Sequence, residues 1–217
     1  MHRPAGNCRS RRIVTQKIVS KAEGCFVVSR HDCPVAPGRA VAAGGDPRVV
    51  EVVLREAIRI VRMDRGIIIA QTRHGFVCAN AGVDASNVPP GQVVVLPPDP
   101  DTSAGRLRHQ LLGLLGVPVA VVISDTFGRP WREGLVNVAI GMAGIAPLES
   151  HVGSRDTHGR TLQATVIAVA DEVASAAELV MGKTAGTPVA VVKGVRIDQG
   201  EKGARPLIRA AEHDMFR

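Results

Sequence analysis

The hydrophobic pattern of the chain predicts short buried strands separated by polar loops and a few helices. The clearest strand is a run of small and β-branched apolar residues from Val117 to Ile123. Asp46-Pro47 opens the clearest helix, with Asp46 as its cap and Pro47 at its first position. Apolar residues repeat with a helical period as far as position 61, and Gly66 is expected to end this helix.

Weaker patterns predict the remaining elements. Ile13 to Gly24 reads as a short strand that runs into a helical turn closed by Gly24. Met1–Arg12 is polar and basic and is expected to be unstructured, and residues 13–217 are expected to fold as one domain or as two tightly joined halves. Strands are predicted at 67–70, 93–96, 137–146 and 188–194, and helices at 103–115, with Ser103 as cap, and at 165–180.

Ser124-Asp125-Thr126 closes the clearest strand, because the following Phe127–Arg132 holds a Gly and a Pro that disfavour a strand. A carboxylate and hydroxyls at a strand end, followed by two Arg, suit a phosphate-and-metal site. Oxygen ligands hold a hard cation, and Arg binds phosphate in a fork. The alternative is a strand-end turn in which Asp125 caps a helix.

A second polar loop also follows a predicted strand. Thr72–Asn87 is dense in small residues and amides and has neither the helical nor the strand period, which is typical of a loop whose backbone approaches something closely. Asp84 lies in it. If the fold brings Asp84 and Asp125 together, they can hold Mg²⁺ or Mn²⁺ on a triphosphate, and we predict that they share a metal.

Composition narrows the class of protein. The chain has 217 residues, a formal charge of +7, no Tyr, one Trp and four Phe. So few aromatic residues disfavour a base-stacking nucleic-acid binder, whereas a basic chain suits anionic small molecules such as nucleotides. Four Cys without metal-type spacing indicate free thiols in the cytoplasm. No apolar run reaches membrane length, and no secretory signal is recognised.

Three other patterns leave their meaning open. Lys17 and Lys21 share a face if their segment is helical, and they could meet a phosphate or form a solvated face. Met181-Gly182-Lys183-Thr184 is similar to the end of a P-loop, but the Gly that the motif requires earlier is Ala177. His74, His151 and His158 lack zinc-site spacing and are interpreted as polar loop residues.

Taken together, several stretches resemble the coenzyme F420-0:L-glutamate ligases. The resemblance runs from about residue 13 to the end, and its two middle motifs are long and specific. The stretches that carry it are 16–24 (QKIVSKAEG), 72–87 (TRHGFVCANAGVDASN), 124–132 (SDTFGRPWR), 170–172 (ADE), 179–183 (LVMGK) and 214–217 (DMFR).

The resemblance implies an α+β fold, a sheet-based ligase that forms a homodimer with interwoven sheets. It implies GTP-dependent joining of L-glutamate to the lactyl carboxylate of F420-0, a phosphodiester-linked deazaflavin, and then γ-linked addition of further glutamates. The implied chemistry is phosphorylation of that carboxylate by GTP, followed by attack of the glutamate amine on the acyl phosphate. Two divalent metals, Mg²⁺ or Mn²⁺, and a K⁺ ion are implied as cofactors.

The resemblance also implies roles for particular residues. Asp84 and Asp125 match ligands of the first metal, and Thr126 matches a ligand of the second. The residues that match GTP contacts are Gln16, Lys21, Asn87 and the segment Ala177–Thr184, within which Met181, Gly182, Lys183 and Thr184 are the candidates. Many members carry Glu or Gln where this chain has Lys183, and a protonated Lys cannot bind a metal.

The chain departs from the family at its front. Members begin with a strand and a Gly-Leu-Pro-type loop that contacts GTP, and Met1–Arg12 does not resemble them. We therefore expect weak GTP binding or none, because consecutive Arg residues are poorly suited to replace a core strand. The alternative to an active ligase is an inactive, truncated remnant, and a basic nucleic-acid-binding module is disfavoured.

Overall fold

The computed structural model describes residues 11–28 and 46–215, and the chain divides into two compact units. Unit 1 holds the described parts of Met1–Thr15 and Asn137–Arg217 together with Pro100–Asp125. Unit 2 holds the described part of Gln16–Asp99 together with Thr126–Val136. Small sheets mixed with helices give an α+β architecture, as predicted.

The described secondary structure follows in chain order. The strands are β1 (Arg11–Thr15), β2 (Phe26–Val28), β3 (Ala57–Asp64), β4 (Ile67–Thr72), β5 (Val77–Ala79), β6 (Gln92–Val94), β7 (Ala120–Arg129), β8 (Arg132–Ala143), β9 (Glu149–Ser150), β10 (Val166–Ile167) and β11 (Val189–Val192). The helices are α1 (Gln16–Ala22), α2 (Pro47–Glu56), α3 (Pro100–Leu115) and α4 (Val169–Met181), with 3-10 turns at Asn80–Gly82, Arg205–Leu207 and Ala211–His213.

A four-stranded sheet in the order β11-β1-β7-β8 organises unit 1. β1 lies parallel to β7 and antiparallel to β11, so Ile13 stands opposite both Val122 and Ala190. The α4 helix buries an alanine-rich face in the core of this unit, including Ala170, Ala174 and Ala177. Side chains this small allow the helix to approach its neighbours closely, which explains why the core needs so few aromatic residues.

Two carboxylates connect separate elements within unit 1. Asp101 of α3 accepts hydrogen bonds through Oδ1 from the N–H of Met142 at 2.8 Å and from the N–H of Ala204 at 2.9 Å. Asp171, in the first turn of α4, accepts one from the N–H of Ala139 in β8 at 2.9 Å. Asp171 therefore joins a helix to a strand.

The buried carboxyl of Asp171 predicts a pH-dependent stability difference. Burial raises the pKa of Asp171, and the hydrogen bond from Ala139 offsets only part of this effect. Because the folded state then binds the proton more tightly than the unfolded chain does, ionisation above the raised pKa costs stability. We expect Asp171→Asn, which keeps the acceptor oxygen, to gain stability relative to the parent as pH rises from about 3 to about 8. Urea unfolding of both proteins across this range measures the difference, and an unchanging difference would contradict the prediction.

Unit 2 is built from the sheet β3-β4-β5 and the separate pair β2-β6, all antiparallel. Val50 and Val53 of α2 pack with Ile68, Ala70 and residues of β6 in its core. The predicted start of α2 is confirmed, because Asp46 accepts a hydrogen bond from the N–H of Arg48 at 2.9 Å and Pro47 is the first helical residue.

The predicted end of α2 is wrong. The helix stops at Glu56, Ala57 is extended, and Ala57–Asp64 forms β3 instead of further helical turns. β3 pairs with β4 in a hairpin whose register places Asp64 opposite Ile67. Isoleucine at 58 and 60 suits a strand, so pairing with β4 prevails over the helical period. As a result, Ile58 is 65% exposed.

The predicted strand at Val117–Ile123 is confirmed, but its predicted end is wrong. β7 continues through Ser124-Asp125-Thr126 to Arg129. Gly128 has no left-handed φ and fits the strand, and the chain reverses only at Pro130 and Trp131, where Trp131 has φ of 56°. The hairpin with β8 therefore extends well past the point at which Gly and Pro were expected to end the strand.

The expectation of an unstructured front segment is wrong at Arg11 and Arg12, and Met1–Ser10 lies outside the described residues. Both arginines belong to β1, where backbone pairing with β7 and β11 on either side forms the strand whatever the side chains are. The predicted start of α3 at Ser103 is also wrong, because the helix begins at Pro100. The predicted start of α4 at Thr165 is wrong too, because β10 precedes it.

The other predicted elements are confirmed in place. Gly24, with φ of 71°, follows α1, and β4, β6, β8 and β11 lie within or across the segments predicted as strands. Within the described residues, no helix has the length and apolar character needed to cross a membrane.

Candidate functional site

Two lysines of α1 reach the loop after β5. Lys17 and Lys21 lie one helical turn apart, so they share a face of the helix. The Nζ of Lys17 lies 2.5 Å from Asp84 Oδ2 and donates to Ser86 Oγ at 2.7 Å. The Nζ of Lys21 donates to the backbone oxygen of Asn87 at 2.6 Å. This face of α1 is therefore bound to the loop at 84–87 and is not merely solvated.

The loop itself is held in shape by its own backbone. Asp84 exchanges both backbone hydrogen bonds with Val94, each 2.9 Å long. The N–H of Ser86 donates to Asp84 Oδ1 at 2.6 Å in an Asx turn, and Asn87 adopts a left-handed φ of 56°. Gly82 is required just before, because a Cβ there would lie 2.6 Å from Leu96 Cγ. The predicted close approach of backbone in this loop is confirmed at Gly82.

The electrostatics of Asp84 follow from these contacts. Burial by itself would raise the pKa of Asp84, but hydrogen bonds from Lys17 and Ser86 and the charge of Lys17 outweigh it, so this pKa lies below its ordinary value. Asp84 is therefore ionised at neutral pH. Its carboxylate is 37% exposed, and its Oδ2 already faces a cationic group, the Lys17 ammonium. In charge and geometry, this oxygen fits a site for a cation.

The second predicted site lies in β7. Asp125 and Thr126 are both partly exposed, and the unit boundary falls between them. Because successive strand side chains point to opposite faces, Thr126 shares a face with Ser124, whose buried Oγ has no hydrogen-bond partner among the described residues. Asp125 lies between them and points to the opposite face, so its carboxylate is not gathered with these two hydroxyls. Asp84 and Asp125 belong to different units, and their predicted sharing of a metal stays a prediction.

No three His, Cys, Asp or Glu side chains are gathered into a possible metal site anywhere in residues 11–28 and 46–215. His74 donates through Nε2 towards the carbonyls of Pro97 at 2.9 Å and Pro98 at 3.2 Å. These contacts agree with the interpretation of His74 as a loop residue. Any metal at Asp84 would take its remaining donors from other groups, such as hydroxyls or substrate phosphate oxygens.

The candidate segment at 181–184 follows α4. Met181 is the last helical residue and is 0% exposed in the core of unit 1, so its side chain serves packing. Gly182 ends the helix with φ of 60°, and Lys183 and Thr184 are exposed. Gln16 begins α1, and its side chain lies outside the described structure. Nucleotide contacts by Gln16 and by 182–184 stay predictions.

Sequence reasoning missed the pairing of Lys17 and Ser86 with Asp84. The helical spacing of Lys17 and Lys21 was visible in the sequence, but it did not indicate which loop the helix faces. Ser86 could have been found from the Asp-Ala-Ser spacing, which favours a turn in which the Asp side chain accepts the N–H two residues later.

Comparisons with known proteins show which family the chain is similar to. Residues 13–194 match the model of the F420-0:Gamma-glutamyl ligase family. A protein named coenzyme F420:L-glutamate ligase from Methanopyrus kandleri is 49% identical over 211 residues, which cover 94% of this chain and 84% of that protein. Proteins with the same name from Methanothermobacter thermautotrophicus and Methanocaldococcus jannaschii are 45% and 42% identical, each over 94% of this chain and 83% of the relative.

The fold and these matches together define a ligase domain of mixed α and β structure. The chain belongs to the F420-0:gamma-glutamyl ligase family.

Proposed function

We propose that this protein joins L-glutamate to the lactyl carboxylate of F420-0 with GTP as co-substrate, and then adds further glutamates through γ-linkages. The observation that carries the proposal is the family match over residues 13–194. The matched stretch contains the residues that form the Lys17–Asp84 and Lys21–Asn87 contacts. The relatives named coenzyme F420:L-glutamate ligase support the glutamate and F420 specificity. GTP and the steps below come from the resemblance.

The proposed reaction has two steps. An oxygen of the lactyl carboxylate attacks the γ-phosphorus of GTP, so that the bond to GDP breaks and an acyl phosphate forms. The glutamate amine then attacks the acyl carbon, loses a proton and releases inorganic phosphate as the amide forms. Positioning and charge neutralisation dominate such phosphoryl transfers, because the protein has little covalent chemistry to perform.

Particular residues have proposed roles in this chemistry. Asp84 and Asp125 would supply carboxylate oxygens to divalent metal, Mg²⁺ or Mn²⁺, and Thr126 a hydroxyl to a second ion. Bound metal would neutralise the charge that develops on the transferred phosphoryl group. Lys21, Gln16, Asn87 and the backbone of 182–184 would hold the nucleotide, and K⁺ is a further proposed cofactor. Lys21 holds the loop in place through the Asn87 carbonyl. We also propose a homodimer.

The direct test is mass spectrometry of F420-0 incubated with the protein, L-glutamate, GTP and Mg²⁺ or Mn²⁺. We expect a product heavier by one glutamyl residue, and none when GTP is left out or replaced by GDP. Calorimetric titration with GTP and Mn²⁺ distinguishes an active ligase from an inactive remnant, because a remnant would show neither product nor nucleotide binding. Product formation that does not depend on a nucleoside triphosphate would overturn the proposal.

The Lys17–Asp84 contact predicts competition between the ammonium and a metal. Lys17 neutralises the oxygen that the metal would take, so metal binding must displace it or share its place. Removing Lys17 in Lys17→Met should therefore raise the affinity for Mn²⁺ without nucleotide about two- to fivefold, the range expected for a partly exposed ion pair. Electron paramagnetic resonance of free Mn²⁺ measures this affinity.

Lys193→Met is the matched control, because Lys193 is an exposed lysine in the other unit. It removes the same charge and should leave the Mn²⁺ affinity unchanged. Weaker Mn²⁺ binding in Lys17→Met than in this control would show that Lys17 supports the metal site and does not compete for it.

A further inference from the structure

A patch of three rings lies in unit 2, outside every role assigned so far. His74 and Phe76 stack with their centroids 5.8 Å apart and their planes inclined by 22°. Phe127 of β7 meets Phe76 edge-on at 6.1 Å and 69°. Arg129 lies two residues after Phe127 and so on the same face of the strand. These three rings, with Thr72 and Arg129, are here called the ring patch.

The ring patch contains two of the few aromatic side chains in the sequence, Phe76 and Phe127. The chain has only four Phe, one Trp and no Tyr, and the cores of both units are filled by aliphatic side chains. Phe76 and Phe127 nevertheless are only half-buried and lie against each other and His74. Rings that a core would bury, placed in partial exposure, are suited to stack on a planar ligand.

The ring patch also contains unsatisfied polar atoms. Among the described residues, four buried side-chain atoms have no hydrogen-bond partner, and three of them are Thr72 Oγ1, His74 Nδ1 and Arg129 Nε. Buried polar groups are normally paired, so such a concentration calls for a reason. His74 and Arg129 are part-exposed residues, whereas Thr72 is only 1% exposed.

The donors and acceptors among these atoms indicate which polar groups a ligand would present to them. The Nε2 of His74 must carry a proton, because its partner is the carbonyl of Pro97, and Nδ1 of the neutral ring is then an acceptor. Arg129 already donates from Nη2 to the carbonyl of Glu133 at 3.1 Å, which leaves its Nε–H as a fixed donor. Thr72 Oγ1 can donate or accept. The donor of Arg129 and the acceptor of His74 match a carbonyl and the adjacent N–H of a cyclic imide.

We propose that the ring patch binds the planar ring system of the acceptor, the deazaflavin of F420-0. The inference rests on the proposed function. A deazaflavin is a flat heteroaromatic system that ends in an imide, so its face would stack on Phe127. Phe76, whose plane is inclined by 69° to that of Phe127, would meet it edge-on. The imide edge of the deazaflavin would meet His74 and Arg129, the two part-exposed residues that carry unsatisfied polar atoms. The nucleotide contacts implied by the resemblance lie at Gln16, Lys21, Asn87 and 177–184, none of which belongs to the ring patch.

The test measures binding of F420-0 to the full chain without GTP or metal, by anisotropy of the deazaflavin fluorescence. Phe127→Leu keeps the side chain apolar and removes the ring. Phe26→Leu is the matched control, since Phe26 is a part-exposed ring of unit 2 outside the ring patch. Stacking on one ring accounts for about a tenfold change in affinity. We expect Phe127→Leu to weaken F420-0 binding by about that factor or more, and Phe26→Leu to leave it unchanged.

Arg129→Gln is the second variant, and it is expected to weaken F420-0 binding while the stacking rings remain. If urea denaturation shows that Phe127→Leu does not fold, Arg129→Gln is the variant that tests the proposal. Each variant is also titrated with GTP and Mn²⁺, and its affinity for GTP is expected to equal that of the parent protein.

Three results would overturn the proposal. If both variants bind F420-0 with the affinity of the parent, the ring patch is not its binding site, and the proposed function is unaffected. Loss of GTP affinity in place of F420-0 affinity would assign the ring patch to the nucleotide base. A parent protein that neither binds nor extends F420-0 would remove the proposed function together with this inference.

Discussion

Asp125→Asn is expected to lower the rate of glutamate ligation by about a hundredfold or more. Loss of one ligand charge weakens the metal that the proposed mechanism uses to neutralise the transferred phosphoryl group. The amide keeps the shape of the carboxylate at a partly exposed strand position, so the free energy of unfolding should change by less than about 1 kcal/mol. Ligation rates at saturating Mg²⁺, measured beside urea unfolding, separate these two effects.

Asp64→Asn is the control for this prediction. Asp64 ends β3 with its side chain 53% exposed, and it has no proposed role in the reaction. The control should ligate at the parental rate. If Asp125→Asn also did so at saturating Mg²⁺, Asp125 would have to be considered structural.

Asp101→Ala is expected to destabilise the fold by about 2–5 kcal/mol. The Asp101 carboxylate accepts from the N–H groups of Met142 and Ala204, whose residues are each 2% exposed. Truncation leaves both N–H groups buried without an acceptor, and each such group costs about 1–3 kcal/mol. Urea unfolding of the parent and variant measures the difference.

Asp101→Asn is the matched variant, since its amide oxygen can replace Oδ1 as an acceptor while the charge is lost. It should lose clearly less stability than Asp101→Ala. A Cβ on Gly203 would lie too close to Asp101 Oδ2 for both to fit, so this part of the tail is packed tightly on the carboxylate. Equal midpoints for the parent and Asp101→Ala would show that the tail is not held by this side chain.

The sequence predicted elements best where local chemistry decides them. Asp46-Pro47 specified the start of α2 through a cap and a fixed φ, and the apolar run before Ser124 specified β7. The sequence failed where pairing partners decide. Ala57–Asp64 has a helical period of apolar residues, but it forms a strand because β4 offers a partner for its backbone. Likewise β1 includes two arginines because strands flank it on both sides.

The candidate site was predicted only in part, for a related reason. The local sequence predicts a turn-rich loop at 72–87 with Asp84 as a candidate metal ligand. The partner of Asp84 does not, because Lys17 is distant in the chain and only the packing of α1 brings its ammonium to the carboxylate. The ring patch was also invisible, since His74 and Phe127 lie in separate motifs and nothing local indicates that their rings meet through Phe76.

The most direct test of the proposed reaction follows an oxygen atom. F420-0 carrying a heavy oxygen isotope in its lactyl carboxylate would be incubated with the protein, L-glutamate, GTP and metal. With both carboxylate oxygens labelled, attack of that carboxylate on GTP predicts that one labelled oxygen leaves in the inorganic phosphate for each first glutamate joined, whereas later γ-linked additions release unlabelled phosphate. Only unlabelled phosphate alongside a product that carries a single glutamate would contradict an acyl phosphate, and the absence of product would contradict the assignment of this activity.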